Sequence, residues 1–275
     1  MSGARADTLR RGAVAAGLVT ALVVVAPIAF ALALAVGAAS GFDRPVTAAT
    51  RRPPAPAPAL AFEVPEPRPL DARPPGAIWA PVRRAVLARV APRAGAGVLA
   101  RLWTRTPEGT AAIVAVLGRA RDVGGRVWTR VRLPILGNRT GWVPRAALGG
   151  YGVAHTRLVV DLRTLRATLL RDGRAVFRAP VGVGRARWPT PRGEVFVRNR
   201  LTRYRSPFYG PVAFGTSGRS RVLTDWPSGG FIGIHGTNRP DLIPGRVSHG
   251  CIRLRNPDIR RLARLMGPGT PVTIR

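Results

Sequence analysis

The sequence predicts a mainly β protein with one short helix near its C-terminus, and three observations carry that expectation. Apolar residues recur in short runs of period two, as in Leu158–Leu162 and Ala175–Val181. Turn-forming dipeptides separate those runs, among them Gly124-Gly125, Gly137-Asn138 and Asp172-Gly173. A helical spacing of apolar residues comes late, where Ile259, Leu262, Leu265 and Met266 fall on one face before Gly267-Pro268.

Taken in order, residues 1–11 carry Arg5, Arg10 and Arg11 against Asp7 and are expected to be a cytoplasmic N-terminus. No charge occurs from Gly12 to Phe42, so residues 12–40 are long enough to cross a bilayer as a transmembrane helix. A cleaved signal segment ending near Ala35, Gly37 and Ala39 is the alternative, and would give a secreted protein instead of a single-pass membrane protein. Residues 41–77 hold a run of prolines from Pro45 to Pro75, a composition that favours extended polyproline geometry and suits a semi-rigid linker.

Residues 78–150 read as short strands, Val98–Trp103, Ala111–Leu117, Val127–Leu133 and Thr140–Val143, with a further turn at Pro107-Glu108-Gly109. Trp103, Trp128 and Trp142 are the candidate core aromatics of this part, and Asn138-Arg-Thr140 fits a glycosylation sequon. Residues 155–275 continue as an antiparallel β-fold. Asn256-Pro257-Asp258 supplies a cap, a first-turn proline and an early acid for the helix, and Pro271–Ile274 is expected to close the sheet. Tyr204, Phe208, Tyr209, Phe214 and Trp226 precede the candidate site and would line a cleft or cap the core, whereas His155 reads as a surface residue.

The chemistry concentrates between Phe231 and Asn256. This stretch holds the chain's one cysteine, Cys251, and two of its three histidines, His235 and His249. A thiol becomes a strong nucleophile as the thiolate, and a nearby imidazole can take its proton. A buried strand ending at His235 and a second strand through Ile252 and Leu254 would meet across a surface loop at Thr237–Val247. On a period of two, His249, Cys251 and Arg253 would share one face, with the Cys251 amide and its neighbours available to a developing oxyanion. His235, His249 and Cys251 lack an evident fourth partner for a metal, so no metal is expected.

Composition narrows the classes further. All 44 basic residues are arginine, which excludes serine–lysine and Schiff-base catalysis because both need an amine. A formal charge of +31 would attract anionic wall polymers or acidic lipid, but the arginines are scattered and no nucleic-acid motif organises them. One cysteine forbids an intramolecular disulfide.

His235-Gly236-Thr237, followed after a spacer by Ser248-His249-Gly250-Cys251-Ile252-Arg253-Leu254 with Asn256 and Asp258, resembles the signature of the L,D-transpeptidase (YkuD-like) catalytic domain. The resemblance extends through Val183-Gly184, Thr190-Pro191-Arg192-Gly193 and Ser206–Pro211. It implies Cys251 as nucleophile and His235 as general base. His249 and Gly250 would shape the site and its oxyanion hole, with Ser248, Arg253, Gly236 and Thr237 as supporting or substrate-binding groups. It further implies peptidoglycan stem peptides as substrate, with no cofactor. Some members carry Ser directly after the first histidine, where this chain has Gly236, which leaves that position only a backbone role. The pattern Trp128-Thr-Arg-Val131 with Gly141-Trp142-Val143 is similar to bacterial SH3-like domains, which implies a small barrel serving as a wall-binding module or a spacer.

Overall fold

The computed structural model describes residues 76–202, 206–220, 222 and 230–275. The expected membrane segment, the proline-rich linker up to residue 75, Tyr204 and Trp226 lie outside these residues, and Ala77, expected as the linker's last residue, already opens the first strand. Among the described residues no helix is long and apolar enough to cross a membrane. The described part is mainly β, with two sheets and one α-helix.

The first sheet has seven strands: β1 (Ala77–Pro81), β2 (Val86–Arg89), β3 (Val98–Leu102), β4 (Ile113–Arg121), β5 (Val127–Arg132), β6 (Thr140–Pro144) and β7 (Gly152–Ala154). Their order is β3-β2-β6-β5-β4-β1-β7, and every pairing is antiparallel. Alternation along β4 to β6 puts Val114, Val116, Val131 and Val143 into one apolar core. Trp128 is buried and its indole N–H donates to Asp122 at 2.9 Å. Trp103 is 58% exposed and Trp142 is only partly covered, so of the three tryptophans expected in the core only Trp128 occupies it.

The second sheet has ten strands and is mixed. It comprises β8 (Thr156–Asp161), β9 (Arg166–Arg171), β10 (Arg174–Pro180), β11 (Gly182–Gly184), β12 (Gly193–Leu201), β13 (Ala213–Arg219), β14 (Phe231–His235), β15 (Gly245–Ser248), β16 (Ile252–Arg253) and β17 (Pro271–Ile274). Their order is β10-β9-β8-β17-β12-β13-β14-β16-β11-β15. The β9–β10 hairpin turns at Asp172-Gly173, both with positive φ, as a tight two-residue turn requires.

The antiparallel fold expected from short strands is corrected at three parallel pairs: β17 with β8, β14 with β16, and β11 with β15. Parallel neighbours need long crossovers, and local sequence does not reveal them. β17 consequently does not close an edge; it lies between β8 and β12 and joins the two halves of the sheet. The segment 237–247, expected as a surface loop, contains the start of β15 and buries Thr237 and Ile243.

Helix α1 (Asn256–Leu265) seats Ile259 and Leu262, with Met266 just beyond, in the core formed by Leu158, Leu169, Phe177, Ile234 and Ile252. Asn256 does not cap it. The capping position is Arg255, and the Asn256 side chain points elsewhere, as the site shows below.

Both sheets belong to one compact unit, and they lock through buried polar groups as well as apolar ones. Phe196 on β12 packs with Ala77, Ile113 and Ala115 of the first sheet. The turn at Pro107-Glu108-Gly109 reaches across to β12, where the Glu108 carboxylate meets Arg198 at 2.9 Å, each side chain 4% exposed. Asn199 Nδ2 donates to the other Glu108 oxygen at 3.1 Å and to Thr110 Oγ1 at 3.1 Å. Burial alone would raise the Glu108 pKa, but the Arg198 charge and several hydrogen bonds outweigh it and hold the carboxyl below its ordinary value. A buried pair of this kind contributes less by its own attraction than by the cost of separating it, since a lone buried charge costs about 3–5 kcal/mol.

Candidate active site

The reactive side chains come from two neighbouring parallel strands and the bend leading into one of them. Ile234 on β14 pairs with Ile252 on β16, and His235 pairs with Arg253, so His235 and Arg253 project from the same face. Cys251 immediately precedes β16. The Gly233 amide donates to its sulfur at 3.3 Å, which places the thiol against the backbone of the strand that ends in His235. Cys251 is 7% exposed and lies in a small cluster with Ala213, Phe231 and Ile232, outside the main core.

The bend from Ser248 to Cys251 replaces the straight strand that the period of two predicted. Gly250 has φ of +119°, a backbone conformation that glycine tolerates. Ser248 Oγ donates to the Cys251 carbonyl at 2.6 Å and accepts from the Gly250 amide at 3.1 Å. Thr190 Oγ1 donates to the Gly250 carbonyl at 2.8 Å and accepts from the Gly184 amide at 2.9 Å. The bend turns His249 away from the strand direction, and its ring lies 4.2 Å from that of Trp188. His249, Cys251 and Arg253 therefore do not form one strand face.

His235 is buried and its Nδ1 lies 2.6 Å from the Gly236 carbonyl. A carbonyl only accepts, so Nδ1 carries the proton in the neutral ring and Nε2 carries the lone pair. Burial pushes the His235 pKa down to about 3, the Gly236 hydrogen bond works against that shift, and the positive charge of Arg253 adds to it. The imidazole is thus neutral at pH 7, the form that can accept a proton. Tyr209 meets it edge to face with ring centres 4.8 Å apart.

Asn256 holds the turn that carries this carbonyl. Its Oδ1 accepts from the Thr237 amide at 3.0 Å. A Cβ at Gly236 would lie 2.4 Å from the same oxygen, and one at Gly210 would collide with it as well. Gly236 is therefore the residue this packing permits.

The remaining expected site residues sort by where their polar groups go. Ser248, Thr237, Gly236 and Gly250 are buried, and the hydrogen bonds they make inside the fold hold the bend and the turn. Arg253 differs: its buried Nε has no hydrogen-bond partner among the described residues. The sequence names Thr190 and Tyr209 without a role and offers Asn256 as a cap, and nothing in it points to the amide of Gly233. Thr190 and Tyr209 lay within stretches already singled out, but a backbone donor leaves no signal in side-chain identity. Of the aromatics before the site, Phe214 is core and Phe208 is exposed. Among the described residues no group of three or more His, Cys, Asp or Glu is placed to hold a metal.

Known proteins similar to this chain match its second sheet and helix. Residues 155–274 match the family model described as YkuD, L,D-transpeptidase catalytic domain. This part of the chain is therefore similar to L,D-transpeptidase catalytic domains of the YkuD type. Bacillus licheniformis has a provisionally named L,D-transpeptidase, YkuD, that is 38% identical over 120 residues, which cover 43% of this chain and 64% of that protein. The corresponding Bacillus subtilis (strain 168) protein is 35% identical over 120 residues, covering 44% and 65%. The chain thus spans just under two thirds of the length of these curated relatives. Among solved structures, the catalytic domain of an E. faecium L,D-transpeptidase is 24% identical, covers 44% of this chain and 96% of that one, and superposes with a TM-score of 0.34.

The depressed His235 pKa has a consequence for stability. An unfolded histidine titrates near 6.5, so below that pH the unfolded chain gains a proton that the folded one refuses, and stability falls as pH falls from 6.5 toward 3. Urea unfolding should show His235 contributing a loss of up to about 1.4 kcal/mol per pH unit in that window. In His235→Gln that contribution should vanish; equal slopes in both proteins would contradict the burial of a neutral imidazole.

Proposed function

We propose that this protein is a peptidoglycan L,D-transpeptidase working through a cysteinyl acyl-enzyme outside the cytoplasmic membrane. The observation that supports it most is the juxtaposition of a thiol, held by the Gly233 amide, with a neutral imidazole at the end of the same strand. In this reading His235 Nε2 takes the Cys251 proton and the thiolate attacks the carbonyl of the third stem-peptide residue. The C–N bond to the terminal D-alanine breaks, His235 returns the proton to the departing amine, and a thioester remains. The amine of a neighbouring stem then attacks the thioester, gives up a proton to His235 and frees the thiol, leaving a 3→3 cross-link. Arg253, half-buried beside His235, would face the substrate.

The N-terminal apolar segment would anchor the chain in the membrane, and the proline-rich linker would hold the catalytic domain toward the wall. The first sheet would act as the SH3-like module of the sequence reading, as a wall contact or a spacer. Anionic wall polymers would meet a concavity of about 520 Å³ on β8, β9 and β10. Arg163, Arg166 and Arg178 line it without an ion-pair partner among the described residues, while Asp161 pairs with Arg275. Exposed charges act through screened attraction, so added salt should release the protein from a poly(glycerol phosphate) matrix, and Arg166→Gln with Arg178→Gln should release it at lower salt. Elution unchanged by both substitutions would remove this surface from the account.

Incubation with disaccharide-tetrapeptides, followed by mass analysis, tests the activity. Cross-linked dimers with loss of D-alanine are expected, whereas tripeptides alone would mean hydrolysis. A carbapenem should add its mass to the wild-type protein and leave Cys251→Ser unmodified; no adduct on either would count against the acyl-enzyme.

A further inference from the structure

The Gly233 amide that donates to the sulfur belongs to the peptide unit whose carbonyl is that of Ile232. That carbonyl accepts from Thr216 Oγ1 at 2.8 Å. Thr216 is fully buried on β13, and its own carbonyl accepts from Arg198 Nε at 2.8 Å. Arg198 in turn donates through NH2 to Glu108, which the first sheet contributes. Hydrogen bonds therefore run from Glu108 through Arg198 to the Thr216 carbonyl, and separately from the Gly218 amide at 3.2 Å through the Thr216 hydroxyl to the peptide 232–233 and Cys251, the two meeting in the Thr216 residue itself.

The backbone is shaped around this run. The β12–β13 register shifts between Val197 and Asn199, which makes Arg198 the extra residue. The β13–β14 register shifts between Gly215 and Arg219, which sets Thr216 at the start of a bulge opposite Ile232. Bulges re-aim side chains and carbonyls, and these two converge on one threonine. The Arg198 guanidinium also lies 3.8 Å from the ring centre of Phe231, the first residue of β14. Hydrogen bonds in series polarise one another, so a donor on the Ile232 carbonyl strengthens the Gly233 N–H as a donor to sulfur. That strengthening favours the thiolate over the thiol, because a hydrogen bond is stronger to the charged form.

We propose that Thr216, with Arg198 and Glu108 behind it, is a positioning residue for the nucleophile: through the peptide 232–233 it holds the Gly233 amide on the Cys251 sulfur and favours the thiolate. The first sheet thereby takes part in the chemistry of the second. The inference deepens the proposed function by naming residues that act on its nucleophile, and its test uses no peptidoglycan. The other titratable and charged groups around the sulfur are His235 on β14, Tyr209 packed against the same cluster, His249 and Arg253 beside Cys251 in the chain, and Arg198 and Arg219 against Phe231. All of them are retained in Thr216→Val.

Alkylation of the full chain by iodoacetamide across pH reports on Cys251 alone, since the protein has one cysteine. Thr216→Val should raise the pH midpoint of alkylation by about half a unit and slow the reaction near neutrality roughly threefold, the effect of weakening one hydrogen bond to the thiolate. Thr216→Ser keeps the hydroxyl and should restore the wild-type profile. A purely structural Thr216 would lower the thermal midpoint in Thr216→Val and leave the alkylation midpoint in place, and that result would overturn the proposal. Thr216→Ala, which also withdraws the hydroxyl and leaves every charge in place, decides the matter if Thr216→Val folds poorly: a raised midpoint supports the proposal and an unchanged one overturns it.

Discussion

The hydrogen bond from His235 Nδ1 to the Gly236 carbonyl governs the rest of the site. It closes within two residues, yet it exists because Asn256 grips the Thr237 amide and because neither Gly210 nor Gly236 carries a side chain that would push that oxygen away. Helix α1 begins at Asn256 and is fixed by Ile259 and Leu262 in the main core. Apolar packing far from the thiol thus decides which imidazole nitrogen bears the proton. An uncharged base inside the fold is the result, and burial keeps it uncharged.

A second constraint sits on the nucleophile. Sequence neighbours of Cys251 build the bend, but the donor that touches the sulfur comes from β14, the strand of the base. Thiol and imidazole therefore share one strand as their reference, and a displacement of β14 would carry both. The parallel pairing of β14 with β16 makes this arrangement possible, because it brings the residues following Cys251 into register with His235. Arg253 enters by the same register and places positive charge beside the base, with no partner for its Nε among the described residues.

Much of this could be read from residues in order. Short alternating runs gave the strands, Asp172-Gly173 gave the hairpin, and Ile259, Leu262 and Met266 gave the helix face, since each depends on local periodicity. Cys251 and His235 stand out in the sequence because cysteine and histidine are rare in this chain and fall within one stretch. What failed depended on distant pairing. The bend at Gly250 broke the period-two argument that had aligned His249 with Cys251, and the place of β17 between β8 and β12 follows from a crossover that no local pattern encodes. Asn256 looked like a cap because asparagine before proline usually is one; its partner, Thr237, becomes a neighbour only after folding. The Gly233 amide and the Thr216 hydroxyl behind it had no sequence signal, since a backbone donor and a buried threonine in a strand resemble ordinary structure.

The central claim is a buried, neutral His235 protonated on Nδ1 and poised to accept a proton at Nε2. Nitrogen-15 NMR of the histidine-labelled protein tests it most directly, with His235 assigned by the signals lost in His235→Gln. The account predicts a neutral Nδ1–H ring for His235 at pH 7 that remains neutral well below pH 5. A ring already doubly protonated at neutral pH, or one protonated on Nε2, would contradict it.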